Sequence, residues 1–226
     1  MITFENVSKK YETEETFALE NINLTINQGE FVFLVGKSGA GKSTIIKLLL
    51  REIEPTDGKI VVSGVDLTTI KERKLPFYRR KIGVVFQDYR LLDNKTVFEN
   101  IAFALEVVQT DPKTIQRIVP KILNMVGLRD KSRKYPDSLS GGEQQRVAIA
   151  RSIVNNPKIL ICDEPTGNLD PVTSAGIMNL LLDINKLGTT VIVATHDITM
   201  VDRMKKRVIS IQKGHVVTDK VGGYYN

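Results

Sequence analysis

The chain has 226 residues, 42% of them apolar and 26% charged, with a formal net charge of +6. That is enough for one domain, or one domain with a lobe, around a substantial core, and the balance is that of a soluble globular protein. No run approaches the ~18–20 apolar residues of a membrane span, Met1 to Glu5 lack a signal-peptide layout, and the single cysteine, Cys162, excludes an internal disulfide and suits a reducing cytoplasm.

In chain order, Val7 to Tyr11 and Ile22 to Ile26 alternate as short strands, with a turn at Asn27 to Glu30. Phe31 to Val35 is an apolar strand that ends at a glycine, and Ile45 to Leu50 suits a buried helix. Between them stands Gly36-Lys37-Ser38-Gly39-Ala40-Gly41-Lys42-Ser43, the spacing of a phosphate-binding loop. Glycines let the backbone curl so that several N–H groups face one anion, and the following helix adds positive potential at its N-terminus. Lys42 is placed to reach the β- and γ-phosphates of a nucleotide, and the Ser43 hydroxyl to ligate Mg²⁺. A glycine-rich turn before an ordinary helix is the competing reading; a strand before and a helix after argue against it.

Glu54 to Gly58 reads as a turn, and Lys59 to Ser63 and Lys81 to Phe86 as strands. A mainly helical stretch follows, to about Asn155. Asp111-Pro112 starts one helix, as cap and first turn. Its apolar stripe is Ile115, Ile118, Val119, Ile122, Leu123 and Val126, and Pro120 is expected to interrupt and kink it. Leu139 to Arg146 is a second glycine-containing segment, in which Ser140-Gly141-Gly142 opens a helix beginning near Glu143. That N-terminus suits an anion, and its local chemistry also suits a simple cap.

Strands return at Lys158 to Cys162, Thr189 to Thr195 and Arg207 to Gln212. Cys162, inside an apolar run, reads as a small buried hydrophobe. The pattern predicts an α/β core with a mostly parallel sheet and an inserted helical lobe. Asp163 and Glu164 close one strand and His196 another, at the sheet edge where open α/β sheets hold ligands. Asp163 then suits Mg²⁺ opposite Ser43, and Glu164 suits orienting or deprotonating a water. Basic clusters at Arg79 to Lys81, Lys131 to Lys134 and Arg203 to Arg207 read as solvated surface or as contacts to an anionic partner. Nucleic acid is the weaker choice, because few aromatics are interleaved with these charges.

The loop Gly36 to Ser43, the signature Leu139 to Glu143 and the strand Ile159 to Glu164 together resemble the nucleotide-binding subunits of ATP-binding cassette (ABC) proteins, over nearly the whole chain. The resemblance implies a single domain over 1–226 with a P-loop NTPase fold, RecA-like. The ATP-binding core and an antiparallel β subdomain fall at about 1–87 and 156–226, and a helical subdomain with the signature at about 88–155. It implies an Mg²⁺-dependent ATPase. Tyr11 stacks on adenine, Gly36 to Thr44 wrap the phosphates, and Ser43, Gln87 and Asp163 serve the metal. Glu164 acts as base, with Gln87, Lys42 and His196 completing the catalytic set. Ser140, Gly141, Gly142 and Glu143 contact the ATP of an opposite subunit, Asp170 belongs to the loop that communicates with it, and the working state is a homodimer. Asn168 departs from the alanine common in the family, and Lys37 fills a variable position.

Within the family, Arg79 to Leu92 and Thr96 to Leu105 resemble the bacterial cell-division branch. That implies an integral, FtsX-like membrane partner docking near Gln87 to Phe98, control of peptidoglycan hydrolases, and a peripheral place on the cytoplasmic face of the membrane at the division site. The run Glu164 to Asp170 is shared with lipoprotein-releasing and macrolide-exporting transporters, which form the alternative.

Overall fold

The computed structural model describes residues 1–12 and 15–224. Strand β1 (Ile2–Lys10) pairs antiparallel with β2 (Phe17–Ile26), and β3 (Phe31–Val35) leads into helix α1 (Lys42–Leu49). β4 (Asp57–Val62) and the short β5 (Val65–Asp66) complete a four-stranded antiparallel sheet, in the order β2-β1-β4-β5. Both β1 and β2 are longer than the alternation suggested. Asn6 and Asn21 adopt left-handed backbones, with φ of 51° and 48°. The pairing register shifts between Phe4 and Val7. This bulge breaks the period of two, and the cross-strand pair Asn6–Asn23 bridges it.

After helix α2 (Leu75–Arg79), β6 (Ile82–Val85) enters the main sheet. Helices α3 (Val97–Glu106), α4 (Pro112–Met125) and α5 (Gly141–Ile153) follow, then β7 (Ile159–Asp163), α6 (Pro171–Lys186), β8 (Thr190–Thr195), α7 (Ile198–Met204), β9 (Arg207–Gln212) and β10 (His215–Val221). The main sheet runs β10-β9-β3-β8-β7-β6, and all its pairings are parallel except β9 with β10.

Burial alternates along the central strand. Phe31, Phe33 and Val35 pack with the apolar faces of α3 to α6, while Val32 and Leu34 pack with α1 and the antiparallel sheet. Every residue of β3 is buried, so the strand ahead of the glycine loop is fixed on both faces. α4 runs unbroken through Pro120. One missing N–H costs one helical bond, and buried Ile115, Val119 and Leu123 hold both sides of the proline. α5 begins at Gly141, ahead of the expected start, because Ser140 is its cap.

Two of the basic clusters are partly structural. Arg79 donates to the carbonyls of Leu50 (2.9 Å) and Arg51 (3.0 Å) just past α1, where cations are favoured. Arg207 is clamped between Glu30 and Asp219.

Candidate functional site

Four parallel strands end along one edge of the main sheet. The register sets Val35 beside Thr195, Asp163 beside Ala194, and Val85 beside Cys162. The residues that follow these ends are Gly36, His196, Glu164 and, one past Phe86, Gln87. Strand order therefore brings together groups that lie far apart in the chain.

They open onto a cavity of about 1110 Å³ lined by Tyr11, Lys37 to Thr44, Gln87, Asp163, Glu164 and His196. Gly36 lies beneath, where a Cβ would collide with the Ile211 carbonyl. Gly41, the N-cap of α1, has φ of 114°, a backbone that favours glycine. α1 thus points its N-terminal N–H groups into the cavity, an anion-attracting arrangement.

Lys42 is buried, and its ammonium donates to the carbonyls of Gly36 (2.6 Å) and Lys37 (3.3 Å). Its Nζ also lies 4.0 Å from Glu164 Oε1. Glu164 has a left-handed backbone, φ of 47°, and its N–H donates to Ala194 O at 2.9 Å. A non-glycine residue held in that region carries backbone strain, which tends to collect at functional sites. His196 Nδ1 stands 2.9 Å from Glu164 Oε1. With the carboxylate as acceptor the imidazole donates from Nδ1, so the two side chains form one hydrogen-bonded pair at the cavity. Burial raises the Asp163 carboxyl from its ordinary value and the charge of Glu164 adds to this, against Lys42 and Arg90.

Tyr11 also lines the cavity, its hydroxyl 3.4 Å from Thr44 Oγ1. Several lining residues carry no local sequence signal: Phe17 and Ala18 at the start of β2, and Lys213-Gly214 in the turn between β9 and β10. That turn is tied across the fold by Gly214 N to Ala40 O (3.1 Å) and Glu20 N to Gly214 O (2.9 Å). A Gly after Lys213 between two strands is the one local hint of the turn; its docking on the glycine loop is a long-range contact.

Ser140 to Glu143 do not line this cavity. Ser140 and Glu143 form a reciprocal capping box: the Ser140 Oγ accepts from Glu143 N (3.3 Å), and Glu143 accepts from Ser140 N (2.9 Å). The Glu143 carboxylate is thus engaged in its own turn and with Lys131 at 3.4 Å. The two glycines permit close packing, because a Cβ on Gly142 would collide with Thr173 and one on Gly141 would sit 3.0 Å from the Tyr89 hydroxyl. Asp170 caps α6, accepting from Val172 N and Thr173 N, each at 3.0 Å. Arg151, near the other end of α5, donates to the carbonyls of Arg90 (2.6 Å) and Tyr89 (2.9 Å). α5 thereby joins the signature to the segment after Gln87.

Cys162 is fully buried, and burial pushes its thiol far up. Among the described residues no helix is long and apolar enough to cross a membrane.

Comparison with known proteins matches residues 19–167 to the family described as ABC transporter. The "Cell division ATP-binding protein FtsE" of Bacillus subtilis is 56% identical over all of this chain and 98% of its own length. That of Mycobacterium tuberculosis is 52% identical over 100% and 98%, and that of Escherichia coli 47% over 96% and 97%. Among solved structures, a dimeric post-hydrolysis state of the ATP-binding cassette MJ0796 bound to ADP and Pi superposes with a TM-score of 0.86 at 36% identity, covering 98% of each chain. The cbiO1 protein of Clostridium perfringens gives 0.91 at 32% identity, over 97% of this chain and 88% of its own.

Proposed function

The chain belongs to the ABC transporter family and is an ATPase of it, and from that premise we propose that it is the ATP-hydrolysing subunit of a membrane complex of the FtsE type. The observation that carries the reading is the convergence of loop residues Lys37 to Thr44 with Gln87, Asp163, Glu164 and His196 on one cavity. The loop N–H groups and Lys42 bind the triphosphate, with the Lys42 ammonium exchanging loop carbonyls for phosphate oxygens. Tyr11 offers its ring to adenine. Glu164 orients and accepts a proton from the attacking water, and His196, held beside it through Nδ1, faces the γ-phosphate.

Ser43, Gln87 and Asp163 offer a hydroxyl, an amide and a carboxylate to the cavity, hard oxygen donors that fit Mg²⁺. Bound there with ATP, Mg²⁺ would supply charge neutralisation at the phosphates. Among the described residues no group of three or more His, Cys, Asp or Glu could hold a metal ion.

In this reading Ser140 to Gly142, which stand outside the chain's own cavity, complete the site of a second copy, so two chains close head to tail on two ATPs. The dimeric state described for MJ0796 supports that assembly. Gln87 to Phe98 form the docking segment for an FtsX-like integral membrane partner, which places the subunit on the cytoplasmic face of the membrane at the division site. The partner relays closure to control of peptidoglycan hydrolases. Identities of 47–56% to cell-division proteins over the full chain support this branch over a lipoprotein-releasing or macrolide-exporting one. Cross-linking tests it: single cysteines between Tyr89 and Phe98 should capture a cytoplasmic helix of one membrane protein. Recovery of ribosomes or DNA without a membrane protein would overturn it.

A further inference from the structure

Gln145 lies on α5, the helix that starts at the signature, and is completely buried. Its Nε2 donates to Pro165 O at 2.7 Å, across to the turn that follows β7. A carbonyl only accepts, so this contact fixes which end of the amide is nitrogen. The Oε1 atom is buried without a hydrogen-bond partner. A buried glutamine that satisfies one end and leaves the other without a donor gains little stability from its polarity. An apolar side chain of equal length would fill the same space.

What the amide does hold is the backbone next to Glu164. Glu164 sits in the left-handed region, its N–H bonded to Ala194 O (2.9 Å) and its carbonyl accepting from Gly167 N (3.1 Å). The next carbonyl, that of Pro165, is the one Gln145 grips. That carbonyl belongs to the peptide joining Pro165 to Thr166, and the proline ring fixes φ at Pro165. Holding it therefore restrains how the chain leaves Glu164, a turn that if loosened would swing the carboxylate away from His196 and Lys42.

We infer that Gln145 is a positioning residue for hydrolysis, holding Glu164 at its working angle through the Pro165 carbonyl. The inference rests on the proposed role of Glu164 as base. It makes no contact with the nucleotide cavity, so it acts on turnover and leaves ATP binding alone.

The test compares wild type, Gln145→Met, Gln145→Glu and Glu164→Gln as full-length chains, by steady-state hydrolysis, ATP titration and thermal melting. Gln145→Met preserves length and helix-forming character but has no donor. It exchanges one buried acceptor without a donor for another, so the melting temperature should barely move. Its kcat should fall about tenfold or more, with KM within about twofold, because small misplacements of a catalytic group carry penalties of that order. Gln145→Glu, with an acceptor facing an acceptor, should fall further. Loss in Glu164→Gln together with unchanged kcat in Gln145→Met overturns this inference alone. Turnover that survives Glu164→Gln counts against the base assignment on which it rests. A parallel drop in melting temperature and ATP affinity in Gln145→Met would mark a packing role and also overturn it.

Discussion

His196 Nδ1 lies 2.9 Å from Glu164 Oε1, linking the ends of two neighbouring parallel strands. The contact fixes both side chains at once, because each is the other's anchor above the sheet edge. His196→Ala should therefore lower kcat by about 10- to 100-fold and leave nucleotide affinity nearly intact. Steady-state hydrolysis beside an ATP-binding titration checks it; a change confined to affinity would contradict the assignment.

Lys42 is expected to act on binding. Its ammonium is already held by the Gly36 and Lys37 carbonyls, so the loop keeps a bound cation ready for phosphate. Lys42→Ala should weaken ATP affinity by at least tenfold, about 1.4 kcal/mol or more, in equilibrium titration. Unchanged affinity would refute the phosphate role.

Arg151 joins α5 to the loop after Gln87 through two backbone carbonyls, and burial lowers its pKa from the ordinary arginine value. Arg151→Ala leaves those carbonyls without their donors. It should cost about 1–3 kcal/mol of stability, with each kcal/mol lowering Tm by about 2–4 °C for a chain of this size. ATP affinity should stay within about twofold, because Arg151 does not line the cavity. Thermal melting with a nucleotide titration decides between these effects.

Acid should loosen the signature turn. The Ser140 backbone N–H holds the Glu143 carboxyl below its ordinary value; burial works against this, and the Ser140 hydroxyl and Lys131 add to it. The Thr96 hydroxyl and N–H do the same for Glu99. A lowered folded pKa means the contribution is complete above the unfolded value, about 4.3, and disappears as pH falls through the folded value below it. The stability gap between wild type and the Glu99→Gln, Glu143→Gln double variant should hold steady from pH 7 to about 5 and close below about 4. Denaturant midpoints across that range measure it, and a gap that widens on acidification would contradict the sign.

The site was readable where chemistry follows from local order. Phe31 to Val35 is apolar throughout and ends in glycine, and the strand closed by Asp163 is of the same kind, so the loop and the acidic pair could be assigned to strand ends. Parallel order then brought them together without further information. Phe17, Lys213 and Gly214 are not legible locally, because their place at the cavity depends on β2 and the β9–β10 turn meeting across the fold. Gln145 and Arg151 were equally silent: each bonds to a backbone carbonyl, which leaves no trace in residue pairing. The early part of β1 is obscured for a different reason, since the bulge at Asn6 shifts its alternation. The signature glycines suit anion binding or a helix cap by local chemistry; Thr173 and the Tyr89 hydroxyl supply a further reason for them, close packing.

The central claim is that the signature of one chain completes the ATP site of another, with Glu164 driving release. The most direct measurement is the solution mass of Glu164→Gln by light scattering, with ATP and Mg²⁺ and then with ADP. The account predicts twice the 25.3 kDa chain mass with ATP and the single-chain mass with ADP. A single-chain mass at saturating ATP would contradict it.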